Sequence, residues 1–206
     1  MRLNREESRR LTRERLLNSA QEIFARDGFI GASVDRIAEH AGFSKGAVYS
    51  NFESKEALFL QLLHDRMSEE LAELHQLLNE RGSIAEILVT LRDRYSSPEK
   101  QEIWCLLSTE FQLQAGRNPT FAEPFAELYS NQRKAIAELV TMVAEKTGAT
   151  LQWNAEELAT SLMALTHGIA LQRAANPSSV STDTAGKAIQ FLLAASLAAP
   201  RDSPST

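Results

Sequence analysis

The sequence predicts an all-α protein: a small N-terminal three-helix domain followed by a larger helical one. Two observations carry that expectation. Apolar residues recur at spacings of three and four along nearly the whole chain, which gathers them on one stripe of a helix. No segment sustains the strict apolar-polar alternation of a half-buried strand.

The elements follow in order. Leu16, Ala20, Ile23 and Phe24 form a first stripe, with Gly28 just past its end. Ser33 caps a second, shorter helix carrying Val34, Ile37, Ala38 and Ala41, and Gly42 stops it. Ser44 opens a third segment, with Val48 and Phe52 four apart on its inner face. From Ser54 a longer stripe begins, running through Leu58, Leu62, Leu63, Met67, Leu71, Leu74 and Leu78. Further helices are expected at about 83–95, 99–115, 121–146, 155–175 and 183–198, separated by turn-rich stretches such as "GRNPTF" and "NPSSVSTD". The expected division is 1–53 for an arm and the three-helix domain, 54–199 for the larger helical domain, and 200–206 for a disordered tail.

Composition narrows the function. The 206 residues carry a formal charge of −5. Charge is unevenly spread, however, because Arg2, Arg5, Arg9, Arg10, Arg13 and Arg15 face only Glu6, Glu7 and Glu14 at the N-terminus. An acidic chain thus begins with a basic arm suited to a polyanion. The single cysteine, Cys105, excludes an internal disulfide and the usual zinc-finger spacings, which fits a reducing cytoplasm. No apolar stretch is long enough for a membrane span, and the charged N-terminus does not read as a signal peptide. His40, His64, His75 and His167 form no metal-ligand spacing, and no phosphate loop or nucleophile motif occurs. An enzyme, a cofactor and a metal site are therefore not expected. A metal site of His64 and His167 with Cys105 or Glu110 requires the fold to converge them.

The stretch "GFSKGAVYSNFESKEALF", residues 42–59, breaks local rules. Lys45 and Lys55 each follow a capping serine, so each places a cation at the positive end of a helix dipole. Gly46 beside the first costs about 1 kcal/mol relative to alanine inside a helix. Two short helices joined by a glycine turn outline a helix-turn-helix, whose second helix enters the DNA major groove by its N-terminal end. A phosphate at such an end is held by free N–H groups, the dipole and a lysine together. Gly46 then lets the backbone approach the groove.

Residues 12–59, "TRERLLNSAQEIFARDGFIGASVDRIAEHAGFSKGAVYSNFESKEALF", resemble the DNA-binding domain of the TetR family of one-component regulators. The resemblance implies that Ser33, Tyr49 and Lys55 hold phosphates and that Ser44, Lys45, Gly46, Ser50 and Asn51 face the groove. By chemistry Lys45 can donate to guanine, and Asn51 can pair bidentately with adenine. It also implies a homodimer on a double-stranded palindromic operator, with the last two helices forming the interface. Gly168, Ile189, Phe191 and Leu192 are its candidates. The remaining helices are expected to take a lipophilic small-molecule effector. Its candidate residues are Phe59, Leu63, His64, Met67, Trp104, Phe111, Phe125, Tyr129, Gln132 and His167, with Leu107, Gln112, Phe121 and Met142 nearby in kind. The expected function is a ligand-released repressor; the alternatives are an activator of the same family or, in a different class, a helical small-molecule- or metal-binding protein or enzyme without a DNA role.

Overall fold

The computed structural model describes residues 4–96 and 99–198. Helices run in the order α1 (Arg5–Gly31), α2 (Val34–Ala41), α3 (Lys45–Tyr49), α4 (Lys55–Asn79), α5 (Ile84–Tyr95), α6 (Glu99–Ala115), α7 (Pro119–Thr147), α8 (Ala155–Ala175) and α9 (Thr184–Ser196). A two-residue strand β1 (Thr150–Leu151) pairs antiparallel with β2 (Leu197–Ala198). The expected tail, 200–206, lies outside the described residues. The chain packs as two compact units, one of residues up to Arg66 with Leu107–Ala126, the other of Met67–Leu106 with the chain from Glu127 on.

In the first unit, α1 starts well ahead of its apolar stripe. Asn4 and Glu7 explain why: the Glu7 N–H donates to Asn4 Oδ1 at 2.7 Å and the Asn4 N–H to Glu7 Oε2 at 2.9 Å, a reciprocal cap. Most of the basic arm is consequently helical. Arg13 is built into the fold, donating to the Asn51 carbonyl at 3.1 Å and to Gln61 Oε1 at 2.7 Å, with its guanidinium 4.3 Å above the Phe52 ring. The core is aromatic. Phe111 of α6 stacks on Phe59 of α4 at 4.9 Å between centroids and meets Phe29 edge-on at 4.8 Å, while Phe24 meets Phe59 at 5.2 Å. Each such pair contributes about 0.5–1.5 kcal/mol beyond its buried area. The division expected at 53/54 marks a break between helices, whereas the packing divides within α4, because Phe59 and Leu63 are spent on this core.

The second unit is aliphatic. Leu74, Leu78, Ile87, Leu91, Val140, Val143, Leu158, Ile189, Leu193 and Leu197 form one cluster drawn from α4, α5, α7, α8, α9 and β2. Helices α5 and α9 approach closely at Gly186, where any Cβ would collide with the Arg92 carbonyl and Ser96 Oγ. Lys146 closes the far end of α4, its ammonium donating to the Leu78 carbonyl at 3.1 Å and the Asn79 carbonyl at 2.6 Å. The strand pair corrects the expected helix over 183–198. After Ser196 the chain extends, and the Ser196 carbonyl accepts from the Gln152 N–H at 2.9 Å. Two residues per strand leave no alternation for the sequence to display.

Candidate nucleic-acid interface

The turn between α2 and α3 is fixed by Gly42, at φ 73°, whose N–H donates to the Ala38 and Glu39 carbonyls, while the Phe43 N–H reaches the Ala38 carbonyl at 2.9 Å. A left-handed residue there satisfies the last carbonyls of α2 and turns the chain at once into the next cap. Ser33 and Ser44 do what their positions require: Ser33 Oγ accepts from the Arg36 N–H at 3.3 Å and Ser44 Oγ from the Ala47 N–H at 3.2 Å. Val48 of α3 points inward at 1% exposure, so Ser44, Lys45, Gly46, Tyr49 and Ser50 share the exposed side. A Cβ added to Gly46 would meet only Ser44 Oγ, at 3.7 Å. Packing inside the protein therefore does not demand glycine there.

Three expected DNA ligands, Lys45, Asn51 and Lys55, engage their side-chain nitrogens within the protein. Lys45 Nζ lies 2.9 Å from Asp35 Oδ2, a fully exposed ion pair, and the carboxylate raises the lysine pKa. Asn51 is turned inward: its Nδ2 donates to the Ala47 carbonyl at 2.8 Å, its Oδ1 is buried, and its carbonyl receives Arg13. The expected bidentate contact with adenine does not match this rotamer, because the amide is spent closing the end of α3. Lys55 is half-buried, donating to the Phe29 carbonyl at 2.8 Å and the Ala32 carbonyl at 3.0 Å, with its ammonium 4.4 Å from the Phe29 ring centroid. Burial lowers its pKa, opposed by Glu56 and Glu110. An ammonium has three donors, so one remains for a phosphate.

The effector candidates separate into the two units. Phe59, Leu63, Phe111 and Phe125 are core residues of the first unit, between 0% and 6% exposed, so packing and not a pocket accounts for them. His64 is exposed beside Asp65, its Nδ1 3.3 Å from the carboxylate, and Gln112 is exposed as well. In the second unit, Tyr129 and His167 lie ring to ring at 6.1 Å. Gln132, one helical turn from Tyr129, buries its Oε1 without a hydrogen bond among the described residues. Burial pushes the His167 imidazole below its usual pKa, with Glu70 opposing. Glu70 also accepts from the Tyr95 hydroxyl at 3.1 Å, and burial pushes the Cys105 thiol up to about 12. Met67 and Trp104 belong to the same unit, and Met142 lines an open groove with Lys134, Glu138 and Glu145. Glu70 and Tyr95 had no motif to betray them. Among the described residues no cluster of three or more His, Cys, Asp or Glu is arranged for a metal ion.

Of the interface candidates, Ile189 is a correction: at 4% exposure it is part of the aliphatic core. Leu192 packs against that core in part. Phe191 stands out at 78% exposure, and a Cβ at Gly168 would meet no atom within 4 Å.

A capped, glycine-permitted helix end presented by a fixed turn defines a helix-turn-helix DNA-binding regulator. The comparisons with known proteins give its family. Residues 16–62 match the bacterial regulatory proteins of the tetR family, and residues 88–198 match the C-terminal region of BetI-type transcriptional repressors. The chain belongs to the TetR family of regulators. The HTH-type transcriptional repressor AcnR of Corynebacterium diphtheriae is 32% identical over 117 residues, 57% of either chain, so this chain spans little more than half of that relative. The HTH-type nicotine-responsive transcriptional repressor HdnoR of Paenarthrobacter nicotinovorans is 25% identical over 81% of this chain and 85% of its own. Among solved structures, a putative regulator from Saccharomonospora viridis in complex with choline superposes with a TM-score of 0.69 at 22% identity, covering 90% of this chain and 96% of that one. A putative TetR-family regulator from a Rhodococcus species gives 0.73 at 19% identity, covering 91% and 98%. At those identities the likeness speaks for the fold. No helix among the described residues is long and apolar enough to cross a membrane.

Proposed function

We propose that the chain is a cytoplasmic transcriptional repressor that binds a palindromic operator as a homodimer and leaves it when a small molecule fills the second unit. The observation that carries the reading is the exposed Ser44–Ser50 side of α3, with its lysine at the helix start and a glycine that the chain's own packing does not require. Ser33, Tyr49 and the third donor of Lys55 hold phosphates in this reading, while Ser44, Lys45, Gly46 and Ser50 face the groove. One such helix reads too few base pairs alone, so two must act together one DNA turn apart, about 34–36 Å. Phe191 and Gly168 supply the joining surface.

The effector is a small, largely apolar molecule taken up beside Tyr129, His167, Gln132 and Trp104. Relatives support a small-molecule effector, one being named as nicotine-responsive and one solved with choline. Helix α4 is continuous from Lys55 to Asn79, running from the first unit into the second. A ligand that favours an altered setting of that helix releases DNA by binding the released state more tightly.

The test is selection of DNA from a random pool by the full-length chain, followed by footprinting of what is retained. A two-fold symmetric site with half-sites one turn apart is expected. Failure to retain any sequence over random DNA sinks the reading.

A further inference from the structure

Glu110 of α6 grips the turn that ends α1. Its Oε2 accepts the Phe29 N–H at 2.8 Å and its Oε1 the Ile30 N–H, also at 2.8 Å, across some eighty residues of sequence. Both donors belong to the first N–H groups after the kink at Gly28, where φ is 73° and ψ is 172°. Those groups have lost their helical acceptors at the kink, so a carboxylate that takes two of them at once is a strong, directional clasp. Gly28 is fitted to it twice over. Its φ strains any L side chain, and a Cβ there would stand 2.9 Å from Glu110 Oε2.

The same turn is held from its other side by Lys55, which takes the Phe29 and Ala32 carbonyls. Anion on N–H and cation on C=O thus close the 29–32 turn between them, and Ser33, the cap of α2, follows immediately. We infer that Glu110 is a positioning residue for DNA recognition, setting from α6 the turn on which the Lys55 ammonium and the Ser33 end of α2 both depend. The inference rests on the DNA-binding reading above and extends it to regulation. Helix α6 is continuous from Glu99 to Ala115, its first half in the second unit beside Trp104 and Cys105, its second half in the first. A displacement of α6 that draws Glu110 about 1 Å away from the turn carries both contacts past hydrogen-bonding distance together.

The experiment is a double-mutant cycle on the selected operator and on random DNA, using the full-length chain. Glu110→Gln keeps the size of the side chain while replacing one acceptor with a donor that faces N–H groups. It is expected to keep the wild-type mass and to lose operator affinity by about tenfold or more. Lys55→Ala is expected to cost less affinity in the Glu110→Gln background than in wild type, because the clasp that places the ammonium is already open. Lys45→Ala, on another element, is expected to cost the same in both. Equal costs for Lys55→Ala in the two backgrounds, or wild-type operator affinity of Glu110→Gln, overturn the inference while leaving the DNA-binding reading intact. A wild type that retains no operator overturns the reading and the inference with it. Should Glu110→Gln fail to fold, hydrogen exchange on the wild-type chain decides instead. The Phe29 and Ile30 amides are expected to exchange more slowly on operator than without it, and unchanged or faster exchange overturns the inference.

Discussion

Lys45 Nζ and Asp35 Oδ2 form an ion pair of 2.9 Å that ties the first residue of α3 to the first turn of α2. The acid sits beside the cation expected to reach DNA, so it competes with phosphate and bases for the same ammonium. Asp35→Asn is expected to raise affinity for random DNA about threefold or more, since each half of a dimer gains a released cation and sheds a negative charge. Operator affinity is expected to rise at least as much, because the base contact must first draw Lys45 away from the acid. Competition binding measures both affinities, and an operator affinity that is unchanged or lower refutes the role given to Asp35.

Gly46→Ala separates stability from function. Inside the protein a methyl group at this position has room, so helix propensity alone is expected to stabilise the chain by up to about 1 kcal/mol. On operator the same methyl stands between backbone and groove, and affinity is expected to fall about tenfold or more. Thermal unfolding and anisotropy titration give the two numbers. Unimpaired binding by a stabilised variant removes the reason offered for this glycine.

Lys55→Ala and Lys45→Ala are expected to differ in the melting curve before any DNA is added. The half-buried ammonium of Lys55 serves two backbone carbonyls, so its loss is expected to cost about 1–3 kcal/mol of stability. Lys45, fully exposed, is expected to leave the melting temperature unchanged. If Lys55 also holds a phosphate in each half of a dimer, the slope of log K against log salt shrinks by about 1.8. An unchanged slope with lowered stability assigns Lys55 to structure alone.

Phe191→Asp addresses assembly. The ring is 78% exposed, so the substitution leaves the core of its own unit untouched. Light scattering at micromolar concentration is expected to fall from the mass of two chains to that of one, with circular dichroism unchanged. A variant that stays dimeric places the interface elsewhere.

What the sequence displayed and what it hid follow from the range of the interactions. Caps and turns are local grammar, which is why Ser33, Gly42 and Ser44 could be read directly and why the helix limits, the start of α1 apart, fell within a few residues of expectation. Lys55 was read only as a phosphate ligand, because its carbonyl partners lie 26 and 23 residues upstream and nothing near it in the chain announces them. Asn51 has an amide equally suited to adenine and to the Ala47 carbonyl, so residue type alone could not choose. In α9, apolar on most sides, Ile189 and Phe191 are about 200° apart around the helix. One had to face the core, and only packing against α5 and Gly186 settles that it is Ile189. Large aromatic side chains suit a core and a ligand pocket alike, which is why Phe59 and Phe111 were expected to line the latter.

The first unit is discontinuous in sequence, and that has a practical side for anyone who builds hybrid regulators. A reading head cut out at residue 53 and grafted onto another sensor leaves behind Phe59, Phe111 and Glu110, hence the centre of its aromatic core and the clasp on its first turn. Transplanting operator preference by exchanging only the surface of α3 avoids that loss. A whole-head exchange has to carry residues 54–66 and 107–126 along, or recruit a recipient whose sixth helix already offers a carboxylate and a phenyl ring one position apart.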